Sequence, residues 1–189
     1  ASAPSQLCLN LREVSKMAQT KPSWDEEKLQ RALEGFKGFL RSNQGQEFLK
    51  DREKLHQSAK ELLKDKATID ELTSEELVEL LKKTWASHGN QQALQKIKEG
   101  NSAYIAKVKS WLKDLIAYKG QAPLPTTENL GVGYASELLT MCFPDQFYLV
   151  NNTSLKGMRQ LVQGELPKVN PKAYPAWRPL FEDLRQRIQ

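Results

Sequence analysis

Metal-binding side chains are scarce in this sequence. Its 189 residues include two histidines, His56 and His88, and two cysteines, Cys8 and Cys142. No two of them stand at His-x-x-x-His or Cys-x-x-Cys spacing, so no structural or catalytic metal is expected. Two cysteines also make no disulfide framework. Cys142 lies in an apolar stretch, as a buried free thiol would, and the chain reads as one from a reducing cytoplasm. No apolar run approaches the ~18–20 residues that span a bilayer, so no membrane is expected among its partners. The opening "ASAPSQLCLNLREVSK" lacks the basic-then-apolar layout of a signal peptide. No methionine stands first, as in a processed chain or a piece of a longer one. There is no Gly-x-Ser-x-Gly elbow, no Cys/His nucleophile pair and no Gly-Lys-Ser/Thr phosphate loop. Nothing calls for a cofactor. His56 falls on the rim of an amphipathic stretch, and the acidic pair Glu75/Glu76 falls where it complements a helix dipole, so neither is assigned catalysis.

What is present is a folded chain's composition, 39% hydrophobic and 27% charged, long enough for one large domain or two small ones. The net charge of +5 is uneven: residues 101–189 hold 11 basic and 7 acidic side chains, so +4 of it lies there. Such an excess attracts polyanions by counterion release, although ordinary solubility is the simpler account of charge alone.

Nearly every periodic segment repeats at 3.6 residues. "SWDEEKLQRALEGFKGFLRS" reads as a helix capped by Ser23 with Glu26, with Leu29, Leu33, Phe36 and Leu40 on one face. The next helix groups Phe48, Leu49, Leu55, Ala59, Leu62 and Leu63. A second capping box, Thr73 with Glu76, opens a helix expected to bury Leu77, Leu80, Leu81 and Trp85. A short helix stops at Gly100, and a longer one points Tyr104, Ile105, Val108, Trp111, Leu112, Leu115 and Ile116 inward before Gly120. "QAPLPTTEN" breaks the pattern, separating a helical bundle at 1–120 from a second part at 121–189, the two packing as one unit. Beyond it come a helix from "VGYASELLTMCF", an extended "PDQFYLVNN", a helix from "TSLKGMRQLVQG" and a closing helix with Trp177, Phe181, Leu184 and Ile188 on one face. The fold is expected to be all-α.

"LGVG", residues 130–133, opens an apolar helix with two glycines. It is no Rossmann fingerprint, since no strand precedes it and the third glycine is missing. Two readings remain: a tight turn between packed helices, or backbone amides left open to an anion.

"LGVGYASELL" resembles the hairpin and second helix of a helix-hairpin-helix element, with Ala135 and Ser136 as its small packing residues. "YLVNNTSL" then resembles the Val-Asp-Thr-His-Val segment of the helix-hairpin-helix DNA glycosylases. By that resemblance Asn152 takes the place of the catalytic aspartate and Glu137 that of the lysine nucleophile. An amide does not support an oxocarbenium ion as a carboxylate does, so glycosylase chemistry on those residues is not expected. The longer "GVGYASELLTMCFPDQFYLVNN" resembles a segment of the helical region upstream of the AAA+ motor in McrB-type restriction and defence proteins. Gly131, Gly133, Ser136, Glu137, Leu138, Leu139, Pro144, Asp145, Phe147, Leu149 and Asn151 carry the likeness, while Tyr148 and Val150 depart from it. The resemblance implies a target-recognition module for double-stranded DNA, working with an AAA+ motor domain and a nuclease subunit supplied elsewhere.

For that role the amides of Gly131, Val132, Gly133 and Tyr134 are the candidate phosphate grip, since such contacts position a protein on DNA without reading sequence. Lys156, Arg159, Lys109 and Lys113 are candidate electrostatic contacts. Asn151 and Asn152 can touch a base or the backbone, with a helix cap as the plain account of Asn152. Tyr174 and Trp177 offer stacking rings, with a core place the simpler reading of Trp177. Two alternatives stand beside DNA binding: a glycosylase-like enzyme using Glu128, Glu137 or Asp145, and a protein-docking domain whose glycines only shape a turn.

Overall fold

The computed structural model describes residues 22–188; Cys8 and the opening stretch lie outside them. The elements run β1 (Ser23–Trp24), α1 (Glu26–Arg41), α2 (Asn43–Leu62), α3 (Lys66–Glu71), α4 (Ser74–Lys82), α5 (Ala86–Gly89) and α6 (Gln92–Lys98). After them come α7 (Ser102–Ile116), α8 (Val132–Cys142), α9 (Asn152–Leu161), β2 (Val162–Gln163), a 3-10 turn (Tyr174–Trp177) and α10 (Arg178–Ile188). The class is all-α. The only strands among the described residues are β1 and β2, paired antiparallel with Ser23 opposite Gln163 and Trp24 opposite Val162. "QFYLV", read from sequence as extended, joins no strand. No described helix is long and apolar enough to cross a membrane.

One hydrophobic cluster runs from Ala59 to Leu180. Helix α8 lies deep in it: all its residues except Gly133 and Thr140 are buried, as expected of a helix apolar on nearly every side. The connection 117–131 is bound to this core by its neighbours' polar tips. Trp111 Nε1 donates to the Pro125 carbonyl at 2.9 Å, and Tyr104 OH to the Glu128 carbonyl at 2.8 Å. Tyr118 packs on Phe147 and Tyr174, with ring centroids 5.7 and 6.2 Å apart, so apolar contacts cross residue 120 without a break.

Caps follow sequence where their partners are close by. Thr73 and Glu76 form the expected box at α4. At α1 the cap is Asp25, which accepts from Lys28 N, because Ser23 is drawn into β1 by Gln163. The α1–α2 hairpin departs further. Of its expected inner face Leu29, Ala59 and Leu63 are buried, but Phe36, Phe48 and Leu49 are exposed, as is Phe39, because the tip of the hairpin has no third layer to cover it. The tip itself is tight: a Cβ at Gly45 would stand 2.0 Å from the Phe39 carbonyl oxygen. Trp85, expected in the core, is 67% exposed because α4 ends at Lys82 and the chain turns before reaching it.

The two ends of the described chain are fastened together. Trp24 Nε1 donates to the Asp183 carboxylate, Arg187 pairs with Glu26 at 2.8 Å, and Asp25 N donates to the Leu161 carbonyl at 2.8 Å.

Candidate nucleic-acid interface

Helix α8 begins at Gly131, whose φ of −84° and ψ of −163° any residue can adopt. The left-handed glycines are Gly100, Gly120 and Gly164, so neither glycine of the 131–133 corner is there for its backbone angles. Crowding does not demand them either. A Cβ at Gly131 would meet nothing within 4 Å, and one at Gly133 would sit 3.5 Å from the Ala86 Cβ, an ordinary contact. What Gly131 does is withhold a side chain. An N-cap residue normally accepts a bond from the first turn, but α8 has no side-chain cap and no acid in that turn. Ala135 N is the first amide to bond back, to the Gly131 carbonyl at 3.1 Å. The amides of Val132, Gly133 and Tyr134 are left with the partial positive charge of a helix start.

Gly131, Val132 and Gly133 border a cleft of about 370 Å³, lined also by Thr126, Thr127, Asn151, Asn152 and Asn170, with no acidic side chain among the described residues. A second helix starts at the same cleft. Asn151 caps α9, accepting from Ser154 N at 2.8 Å while Ser154 Oγ accepts from Asn151 N at 2.8 Å. The cap is therefore Asn151 and not Asn152. Asn152 is the first helical residue, exposed, with its side chain on the cleft. The cleft continues both ways: past Thr126 and Asn170 to Lys172, and past Asn152 and Val169 to Arg159 and Lys168. One acid, Glu165, lines that second arm.

Of the residues singled out from sequence, Gly131, Val132, Gly133, Asn151, Asn152 and Arg159 line this trough. Tyr134 contributes its amide only; its ring is buried, its hydroxyl donates to the Asn90 carbonyl at 2.5 Å, and burial pushes its pKa up to about 12. Lys156 is exposed on α9 but does not line the trough. Lys109 and Lys113 depart from the expectation. Lys109 Nζ donates to the Asp70 carbonyl at 2.7 Å and Lys113 pairs with the Asp70 carboxylate, which holds both against α3. Lys168 and Lys172 escaped the sequence reading because "ELPKVNPKAYP" has no period to orient them. Their only signal is the basic excess after residue 100.

Two of the three candidate acids have engaged carboxylates, while that of Asp145 is exposed. Lys96 holds the Glu128 carboxyl below its ordinary pKa, with Lys107 at 3.9 Å. Glu137 is 3% exposed, and its two carboxyl oxygens accept from the amides of Trp85 at 2.8 Å and Ala86 at 3.2 Å. Asp145 is exposed, and its backbone carbonyl accepts from Arg185. Tyr174 and Trp177 are core residues, bonded to the carbonyls of Tyr148 at 2.9 Å and Lys168 at 3.2 Å.

No protein-family model, curated protein or solved structure matches the chain.

A larger cleft of about 540 Å³ lies between α2 and α8, walled mainly by Phe48, Leu49, Met141 and Leu149. Its one buried acid is Glu137, already bonded to two amides. The trough, by contrast, holds the uncapped start of α8 and the basic flanks. Its chemistry suits an anion with further anions on either side.

Proposed function

We propose that this chain is a non-catalytic DNA-binding module that grips the sugar-phosphate backbone at the Gly131–Gly133 corner, used as a helix-hairpin-helix-like element. One observation carries the reading: Gly131 is required neither by its backbone angles nor by its surroundings, and its missing side chain leaves the first turn of α8 without a cap where Val132 and Gly133 line a cleft with no carboxylate among its described residues. A phosphate oxygen is the natural acceptor for the amides of such a turn. Arg159, Lys168 and Lys172 stand along the same trough for the neighbouring phosphates. Binding is favoured over catalysis because Asn152 occupies the place a glycosylase gives to its aspartate, and Glu137 is tied to backbone amides. The likeness of residues 131–151 to McrB-type proteins supports a place in a restriction or defence complex, with an AAA+ motor and a nuclease as partners. The exposed Phe36, Phe39, Phe48 and Leu49 favour a second, compatible role of the α1–α2 hairpin in docking a protein.

The test is binding of a labelled duplex followed by fluorescence anisotropy across a salt series. Three cationic contacts give an affinity that falls roughly 40-fold between about 50 and 200 mM salt. Gly131→Asp caps α8 and adds a negative charge, and it weakens binding roughly 10- to 150-fold, the range of one hydrogen bond to a charged group. A parent that ignores the duplex at low salt, or a Gly131→Asp variant that binds as the parent does, removes the proposal.

A further inference from the structure

Trp85 is the most exposed large hydrophobic residue described, at 67%, yet it is firmly mounted. Its own amide and that of Ala86 donate to Glu137, one turn beyond Gly133 on α8. The Ala86 methyl lies where it would contact a Cβ at Gly133. Tyr134 OH donates to the Asn90 carbonyl, and Asn90 Nδ2 donates to the Asn129 carbonyl at 3.3 Å. Segment 85–90 is thereby laced to segment 129–137 by four hydrogen bonds and a packing contact. The indole ring also leans on His88, with centroids 5.2 Å apart and planes at 35°. An indole left in water costs hydrophobic free energy, and holding it still costs conformational entropy besides. A solvent-facing ring carried on a backbone fixed in this way, close to Gly133, is placed for a flat partner.

The surroundings say which partner. Residues 80–98 contain four lysines, His88 and no acid. Lys82 and Lys83 directly precede the turn; Lys82 is paired with Glu79 at 2.6 Å and Lys96 with Glu128, so among the described residues Lys83 and Lys98 are the lysines of this segment not tied to a carboxylate. A nucleobase is a flat group carried on a polyanion, and every base has a face on which an aromatic ring stacks. A base inside a duplex has that face covered by its neighbours.

We propose that Trp85 is a stacking platform for an unpaired nucleobase, so that the chain prefers nucleic acid with exposed bases over an intact duplex. This rests on the phosphate grip at Gly131 proposed above and adds a selectivity to it. The amides hold the backbone, and the indole reads whether a base is free.

The experiment compares a short oligothymidylate, an abasic sugar-phosphate strand of the same length, and a matched duplex. Of the four tryptophans, Trp111 and Trp177 are buried and Trp24 partly so, which makes iodide quenching of the parent report chiefly on Trp85. Oligothymidylate is expected to quench indole emission and to shield it from iodide, whereas the abasic strand binds without doing either. Trp85→Ala weakens oligothymidylate binding roughly 5- to 150-fold, the loss expected on removing a stacking aromatic, and leaves the abasic strand's affinity unchanged. Trp85→Phe keeps most of the affinity. Far-UV circular dichroism confirms that the variants fold, as substitution of an exposed ring permits. If Trp85→Ala binds oligothymidylate as the parent does, or the indole stays open to iodide in the complex, the stacking role is wrong while the grip at Gly131 stands. If no strand binds at low salt, both proposals fall together.

Discussion

Helices α4 and α8 meet the same problem at their first turns and handle it in opposite ways. Every helix starts with amides that it cannot bond internally. In α4 the sequence closes them locally: Thr73 Oγ1 accepts from Glu76 N at 3.2 Å, and the Glu76 carboxyl accepts from Thr73 N at 2.8 Å. In α8 the cap position is a glycine and the amides stay open. A third start, that of the short α5, borrows its acceptor from Glu137 across 51 and 52 residues of chain. The chain thus closes one exposed helix start with its own side chains and sends a buried carboxyl group to close another. The start of α8 has no such side-chain acceptor among the described residues.

Removing the borrowed cap has the largest expected effect. Glu137→Ala leaves two part-buried amides without an acceptor and should destabilise the fold by about 2 kcal/mol, measured by denaturant unfolding. Trp85, released from its mount, should then show a more mobile indole by fluorescence anisotropy. Next comes the local box: Thr73→Ala should cost about 1 kcal/mol in the same assay and leave nucleic-acid binding unchanged. The box is also sensitive to acid. Its hydrogen bond from the Thr73 backbone holds Glu76 below its ordinary value of 4.5. The group's contribution to stability is therefore full above that value and is lost as the pH falls through the depressed folded one. Glu76→Gln should be less stable than the parent near neutrality, and the gap should close in acid, as read from melting temperatures across a pH series. The smallest stability effect sharpens the contrast most. Gly131→Ser gives α8 the cap it lacks, and should raise stability by a few tenths of a kcal/mol while weakening DNA binding. A serine there that leaves affinity untouched would make the open amides incidental.

Legibility from sequence followed the range of the interactions. The Thr73 box and the packing of Tyr104, Val108, Trp111 and Leu115 were readable because their determinants lie within a few residues of each other. Ser23 was misread because its partner, Gln163, is far along the chain. Trp85 extends the apolar face of α4 in sequence, but that face ends where Thr84 Oγ1 turns back to the Leu81 carbonyl at 2.7 Å. Glu137 then takes the next two amides, and no local pattern announces a carboxyl group arriving from so far away. The Gly131 corner was legible as a pair of glycines, and Arg159 as a basic residue on a helix. The cap at Asn151 instead of Asn152 was a shift of one residue, within the ordinary uncertainty of helix ends. Lys109 and Lys113 shared the right helix spacing but face Asp70, a partner on an element that periodicity alone does not place.

The fastening of Trp24 to Asp183 and of Glu26 to Arg187 gives the molecule a mechanical character. Tension applied at residues 22 and 188 loads this latch and the two-residue β-pair first, and such contacts peel open one after another. Beyond the latch, α10 enters the cluster in which α8 is embedded through Leu180, so a pull that breaks the latch passes straight into the core.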